Sequence, residues 1–288
     1  MAFFLKSALT LGLPPALVTF VGLLLAWLMA RQERWFLSRW LTGFAIAVGY
    51  ATGHRLATGT LPLLPSSAEH WLPLSAMMAA FLGILESLPS IPRFWRWLWR
   101  LLFGIAAVTV LLLPLPSLPP TGKAIWSVGL GVLMAAVWTG LNGLAGRVTD
   151  ASLPIALAIT AAINSAALLI AHTATVSQLS GVLAAAMGST CAFVLWQRRW
   201  SLAGGATGVM VTLLFGTGVN GAFYADLPIA SALFLWLAPL TGWLREHPFL
   251  QAWHPIASIA LQLVATTLLA AIGLSIAIWQ LGRPTGGY

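Results

Sequence analysis

The chain is a succession of long apolar stretches, separated by short breaks that hold charged residues, Pro and Gly. A helix that crosses a membrane needs about 20 mostly apolar residues. By this criterion the chain has ten candidate segments, at residues 11–30, 36–53, 71–88, 97–113, 124–145, 153–173, 179–196, 206–224, 227–244 and 256–281. Their apolar runs lack the alternation of barrel strands, so each must satisfy its backbone groups as a helix. The sequence therefore predicts an all-α integral membrane protein with about ten transmembrane helices, in which residues 1–288 form one polytopic membrane domain.

Charged residues are too few to cover the surface of a soluble protein. The chain has 14 Lys and Arg and 6 Asp and Glu among 288 residues, and 59% of it is hydrophobic. A soluble domain carries about 25% charged residues. The net charge of +8 could suggest a nucleic-acid partner, but that requires a basic face on a folded domain. Because the cations lie in short breaks between apolar segments, we expect the lipid bilayer as the partner and no nucleic acid.

The distribution of the cations predicts the orientation of the segments. The breaks after the odd-numbered segments, together with the starts of the segments that follow them, hold ten Arg residues, whereas the other breaks and the two termini hold four Lys or Arg residues. Cytoplasmic loops carry the excess of Lys and Arg. We therefore expect both termini on the non-cytoplasmic side of the cytoplasmic (inner or plasma) membrane. The ten residues expected in the cytoplasm are Arg31, Arg34, Arg39, Arg93, Arg96, Arg100, Arg147, Arg198, Arg199 and Arg245.

The stretch PRFWRWLWRLL, at residues 92–102, alternates cations with tryptophans. Such a run can bind single-stranded nucleic acid through stacked rings and phosphate contacts, or it can mark the entry of a helix into a bilayer. Its position in a predicted cytoplasmic break favours the second interpretation, since Trp is enriched at the membrane interface and Arg side chains can extend to the anionic surface. We expect an interface anchor made of Arg93, Arg96, Arg100, Trp95, Trp97 and Trp99.

Weak internal similarity indicates a duplication. LPPALVT from residue 13 resembles LPIALAIT from residue 153, and LTGFAIAVG from residue 41 resembles LSGVLAAAMG from residue 179. These offsets of 140 and 138 residues fit two halves, 1–147 and 148–288, although LPLSAMM and LPIASAL give a competing offset of 155. Five segments are an odd number, so the second half would be inverted. A five-plus-five inverted repeat is typical of secondary transporters.

Polar residues inside the predicted spans are the first candidates for a functional site. The three asparagines, Asn142, Asn164 and Asn220, all lie in spans, and two of them occur in the related sequences TGLNG and TGVNG. GTGVNG also matches the pattern of a dinucleotide-binding loop, but it lies within an apolar helix and not after a strand. Its glycines, Gly216, Gly218 and Gly221, leave room for close packing or an unwound turn. The asparagines bond neighbouring helices or line a solute path.

Glu86 is the one acid that falls within a predicted span. It lies about fifteen residues after Trp71, which places it near the cytoplasmic end of its helix at 1.5 Å per residue. We expect it to form an ion pair within reach of Arg93, at the level of the head groups. The functional alternative is a carboxylate that couples transport to a proton or cation.

Histidines form a weak constellation on the opposite side. His54, His70 and His172 are all predicted to lie at the non-cytoplasmic ends of spans, and Glu69 adjoins His70. Imidazole binds metals and haem, but no spacing fixes these residues as ligands. We therefore expect solvated or interfacial histidines, with no metal and no cofactor.

The short loops place any function within the membrane. The leading hypothesis is a permease or channel for a small, neutral solute. The alternatives are a non-catalytic subunit or scaffold of a larger membrane complex and a membrane-embedded enzyme, although no pattern of paired carboxylates, H-E-x-x-H or G-x-S-x-G occurs. A membrane-protein partner or a second copy of the chain is compatible with each.

Overall fold

The structure is a computed structural model that describes residues 2–31, 35–61, 65, 67–88, 90–198, 200–251 and 253–281. Its helices are α1 (Ala2–Arg31), α2 (Trp35–Thr58), α3 (Trp71–Ser87), α4 (Arg93–Leu112), α5 (Pro120–Ala145), α6 (Ser152–Ile170), α7 (Ala174–Gln197), α8 (Gly205–Tyr224), α9 (Ile229–Leu237), α10 (Pro248–Gln251) and α11 (Pro255–Leu281). Short 3-10 helices cover Ala68–His70 and Ala238–Glu246. Eight of the described helices are long and apolar enough to cross a membrane. The predicted all-α membrane fold is confirmed.

Two predicted spans are not among those eight helices. The first is α2, the less apolar of the two. It packs antiparallel to α1 along its length: a Cβ at Gly22 would lie 2.6 Å from the Cβ of Ala45, and a Cβ at Gly49 would meet the carbonyl of Pro15. The second is the segment 227–244, where the prediction of one continuous α-helix was wrong. α9 ends at Leu237 and continues as a 3-10 helix, because Pro239 has no N–H and its ring clashes with a carbonyl of the preceding turn.

The two ends of the helix bundle differ in charge. We call one the arginine end and the other the histidine end. The arginine end carries Arg93, Arg96, Arg147, Arg198 and Arg245, and the histidine end carries His54, His70 and His172. The sidedness that the cation distribution predicts therefore corresponds to two opposite ends of the described bundle. The last residues of the chain, 282–288, lie outside the described residues.

α8 is the central helix of the bundle, with 17 of its 20 residues buried. Its glycines let large side chains of other segments reach its backbone. Leu72 of α3 packs on Gly216, Trp236 of α9 packs on Gly218, and Leu168 of α6 packs on Gly221. α8 stays helical through GTGVNG, so this motif is a packing surface and not an unwound turn.

The hairpins α1–α2 and α6–α7, which occupy equivalent places in the predicted duplication, both pack as close helix pairs. Their surroundings differ, however, because α1 packs along α7 whereas α6 packs along α11. The five-plus-five inverted repeat stays a prediction.

Candidate functional site

A seam between α3, α4, α5 and α8 contains two cavities and a buried ion pair. The outer cavity opens at the histidine end, the inner one lies deeper along the same helices, and the ion pair lies at the arginine end. The order of residues along α8 gives their depth: Asn220 lines the outer cavity and Thr212 the inner one. Eight residues of helix separate these two, about 12 Å at the rise of an α-helix.

The outer cavity, which we call the vestibule, has a volume of about 300 Å³. It lies where the 3-10 helix Ala68–His70 meets the ends of α4 and α8 and the start of α7, and its polar lining consists of Ser67, Glu69, Thr173, Asn220 and Tyr224. The Tyr224 hydroxyl is held in place because it donates to the carbonyl of Leu111, 2.6 Å away. The vestibule is thus a pocket with a mixed polar and apolar lining at the histidine end of the bundle.

The inner cavity has a volume of about 10 Å³, room for about one water molecule. It lies between α3, α4, α5 and α8, and Ser75 and Thr212 are the hydroxyl residues of its otherwise apolar wall. Leu72 and Leu111 also line it, on the side nearer the vestibule by their order in the helices. The cavity is thus a small and mostly apolar space with two hydroxyl groups, closed toward the vestibule by leucine side chains.

Two aromatic rings close the seam below the inner cavity. Trp138 of α5 is fully buried and packs on the backbone of α8 at Gly208. Phe103 of α4 meets it edge to face, with ring centroids 5.8 Å apart. The rings separate the cavity from the arginine end.

Beyond these rings, Glu86 and Arg100 form a buried ion pair. The Arg100 guanidinium donates through Nε to Oε1 of Glu86 and through Nη2 to Oε2, the latter at 2.9 Å, and its Nη1 donates to the Thr139 hydroxyl at 3.0 Å. The two side chains are 4% and 7% exposed. The pair thus links α3, α4 and α5 at the arginine end.

This pairing differs from the expectation at two residues. The partner of Glu86 is Arg100 and not Arg93, and Arg100 is buried, so it is not part of the interface anchor. Residues 93, 96 and 100 are three and four positions apart, so they share one face of α4, and that face turns toward α3. Of these three residues, Arg100 is the buried one. Arg93 is exposed, and Arg96 donates to the carbonyl of Leu88 at 3.0 Å. Trp95, Trp97 and Trp99 lie on the surface, as an anchor requires.

The three asparagines have different surroundings. Asn220 lines the vestibule, and its Nδ2 donates to the carbonyl of Gly216 at 2.9 Å. Asn142 accepts hydrogen bonds from the backbone N–H of Gly204, at 2.8 Å, and from the hydroxyl of Thr207. It therefore satisfies donors at the start of α8, whose first N–H groups have no partner within the helix.

Asn164 joins three helices on the side of α8 away from the seam. Its Nδ2 donates to Oγ of Ser180 in α7, at 2.9 Å, and to Oγ1 of Thr217 in α8, at 3.1 Å. Both hydroxyls use their own hydrogens on backbone carbonyls, so they must accept from the amide nitrogen. Asn164 Oδ1 is buried without a hydrogen-bond partner. This geometry matches the helix-bonding interpretation of Asn164.

Substitution of Asn164 by leucine should therefore cost little. We expect a loss of about 0.6–2 kcal/mol of unfolding free energy, toward the lower end because the change also removes a carbonyl that lacks a partner. Equilibrium unfolding in mixed detergent micelles measures this loss. Ser180→Ala is a matched change in the same cluster. A folded Asn164→Leu protein with unchanged stability and altered access to the seam would contradict the assignment.

The histidines do not come together as a metal site. His54 and His70 have ring centroids 5.8 Å apart, and His54 Nε2 lies 3.2 Å from the carbonyl oxygen of Glu69. His172 instead faces Asp226, with 3.7 Å between Nδ1 and Oδ2. Among the described residues, no group of three or more His, Cys, Asp or Glu side chains could hold a metal ion.

Further ion pairs hold the arginine end together outside the seam. Arg245 bonds Asp150 at 2.9 Å, and Arg147 lies 3.3 Å from Glu246. Partial burial alone would raise the pKa of Asp150, but hydrogen bonds from Arg245 and Ser152 outweigh it and hold that pKa below the usual range of aspartate. These contacts tie the 3-10 helix Ala238–Glu246 to the segment between α5 and α6.

Neither a protein family model nor a curated protein matches the chain.

Four residues that line or close the seam were not predicted from the sequence: Ser75, Thr212, Thr139 and Trp138. Serine, threonine and tryptophan are common in membrane helices, and no local pattern distinguishes these four from the rest. Only Thr139 could have been found, through its motif, because it begins TGLNG and lies one turn before Gly143.

Proposed function

We propose that the protein is a permease for a small, neutral, hydrogen-bonding solute, and that the solute passes along the seam between α3, α4, α5 and α8. The observation that carries this proposal is the alignment of the vestibule, the inner cavity and the Glu86–Arg100 pair along the same helices. Hydroxyl and amide groups suit a neutral solute that exchanges its hydration for protein hydrogen bonds. Ser75 and Thr212 offer such groups in the inner cavity, without a charge.

The proposal includes the topology that the sequence predicts. Ten segments would cross the membrane, with α2 and the α9–3-10 segment as the two that complete the count. The arginine end would face the cytoplasm, by the excess of Lys and Arg there, and the vestibule would open to the outside. Two five-helix halves would then be able to move against one another as in other inverted repeats.

In this arrangement the vestibule opens to the outside, Leu72 and Leu111 close the inner cavity toward the vestibule, and the arginine end is closed to the cytoplasm. Trp138, Phe103 and the Glu86–Arg100 pair form the closed side. Separation of α4 from α3 and α5 would break the ion pair and open the arginine end. The pair would act as the inner gate of the permease.

A thiol placed in the inner cavity tests the path without knowledge of the solute. Ser75→Cys is nearly isosteric, and the chain has a single cysteine, Cys191, which Cys191→Ala removes. If the seam opens, a membrane-impermeant methanethiosulfonate reagent added at the histidine end of the protein in liposomes should modify the new thiol. Mass spectrometry of the intact protein measures the modification.

The matched control is Ser231→Cys in the same background. Ser231 is also buried, but it lies between α9 and α11, away from the seam, where its hydroxyl donates to the carbonyl of Gly273. We expect modification at residue 75 to be much faster than at residue 231, and to block the flux of urea or glycerol where the liposomes show such flux. Equal protection of both thiols in folded protein would refute the path and favour a structural subunit.

A further inference from the structure

An apolar groove of about 580 Å³ runs between α3 and α4 on the outer surface of the bundle. Its α3 side repeats at helical spacing through Met78, Phe81, Leu82 and Leu85, with Ile84 beside them, and its α4 side through Trp99, Leu102, Phe103 and Ala106. Each stripe extends over eight residues, about 10 Å of helix from the first to the last. The groove is thus lined by apolar side chains throughout.

Cations lie at the arginine end of the groove. Arg96 precedes Trp99 by three residues and lies on the same stripe of α4, and its Nη2 donates to the carbonyl of Leu88 just after α3. This bond fixes the guanidinium between the two helix ends. Its Nε is buried without a hydrogen-bond partner. Arg93, one turn earlier on α4, is exposed.

Within the described residues, the acid nearest in sequence, Glu86, bonds neither Arg96 nor Arg93. Glu86 uses both carboxylate oxygens on Arg100, inside the bundle. The exposed rings of Trp95 and Trp97 flank the two arginines. The groove therefore has a cationic mouth, whose guanidinium groups have further N–H donors, and an apolar part that leads from the mouth toward the membrane centre.

We propose that this groove binds one anionic phospholipid, with its phosphate at Arg96 and Arg93 and one acyl chain between α3 and α4. Guanidinium groups bind phosphate through charge-assisted hydrogen bonds, and basic pockets between transmembrane helices hold anionic head groups. A soluble anion would leave the apolar groove unused, whereas a zwitterionic lipid would leave the cationic mouth without a net counter-charge. These observations do not rest on the permease function, although Phe103 borders both the groove and the seam.

Native mass spectrometry of the full chain tests the site, after exchange into detergent with phosphatidylglycerol or phosphatidylcholine. We expect the protein to retain one phosphatidylglycerol molecule and to show no such preference for phosphatidylcholine. Arg96→Gln should remove the preference through the head group, and Ala106→Phe should reduce it by filling the groove. The matched controls are Arg198→Gln, an exposed arginine at the same end, and Ala136→Phe, an exposed alanine on α5 outside the groove.

Several outcomes would overturn the proposal. These are equal retention of both lipids, an equal loss in Arg198→Gln, and full retention in Ala106→Phe, which would indicate binding by charge alone. A dimer that Ala106→Phe dissociates would show that a second copy occupies the groove. If Arg96→Gln fails to fold because the bond to Leu88 is lost, Arg93→Gln tests the head-group contact at an exposed position, and unchanged retention there would refute the two-arginine site.

Discussion

Replacement of Arg100 by methionine should lower the unfolding free energy by about 3–5 kcal/mol, because it leaves the buried carboxylate of Glu86 without a partner. Arg100 donates to both carboxylate oxygens and to Thr139, so one substitution removes every bond of this network that reaches α4. Glu86→Leu should have a similar effect, since it leaves the guanidinium unpaired. Equilibrium unfolding in mixed detergent micelles measures both.

The double variant Glu86→Leu, Arg100→Met distinguishes the cost of an unpaired buried charge from the cost of changed side-chain packing. Because apolar residues of similar volume often replace a buried ion pair with little or no cost, we expect it to be more stable than either single variant. Arg93→Met is the matched control, since Arg93 is exposed on the same face of α4. If Arg100→Met costs no more than Arg93→Met, or if the two single effects add, the pair does not stabilise the arginine end.

The fold was predictable because the bilayer allows few alternatives. α6, for example, was predicted at 153–173 and spans Ser152–Ile170, since both of its ends are set by breaks in an apolar run. The error in the ninth segment had a visible cause, because Pro239 stands inside the predicted helix. Apolarity specifies that a segment crosses the hydrocarbon layer, whereas local residues decide whether it does so as one α-helix.

The site was less predictable because it depends on which faces meet. The sequence indicated that Glu86 would pair with an arginine, but Arg93, Arg96 and Arg100 share one face of α4 and are equivalent until the α3–α4 connection fixes the distance between the helices. The asparagines posed the same difficulty. Asn142 and Asn220 lie in nearly identical sequences, yet one binds the start of α8 and the other lines the vestibule.

Replacement of Gly83 by leucine should prevent normal assembly of the bundle, with a cost of at least about 3 kcal/mol, at or above the upper end for overpacked cores. A Cβ at Gly83 would lie 2.1 Å from the Cα of Gly205, at the start of α8. The clash is with backbone, so no side-chain rotation relieves it, and α3 must move away from the central helix. Small residues at such crossings let helices approach closely enough to bind by van der Waals contact.

Gly129→Leu is the matched control, because Gly129 is also a helical glycine, and a Cβ there has no neighbouring atom within 4 Å. Leucine has the higher helix propensity, by somewhat less than about 1 kcal/mol, so this change should leave stability unchanged or raise it slightly. The yield of monodisperse protein in mild detergent and its thermal midpoint distinguish the two variants. If Gly83→Leu matched Gly129→Leu in both measurements, α3 and α8 could not be as close as described. The inner cavity between these two helices, and the proposed path past Ser75 and Thr212, would then no longer be supported.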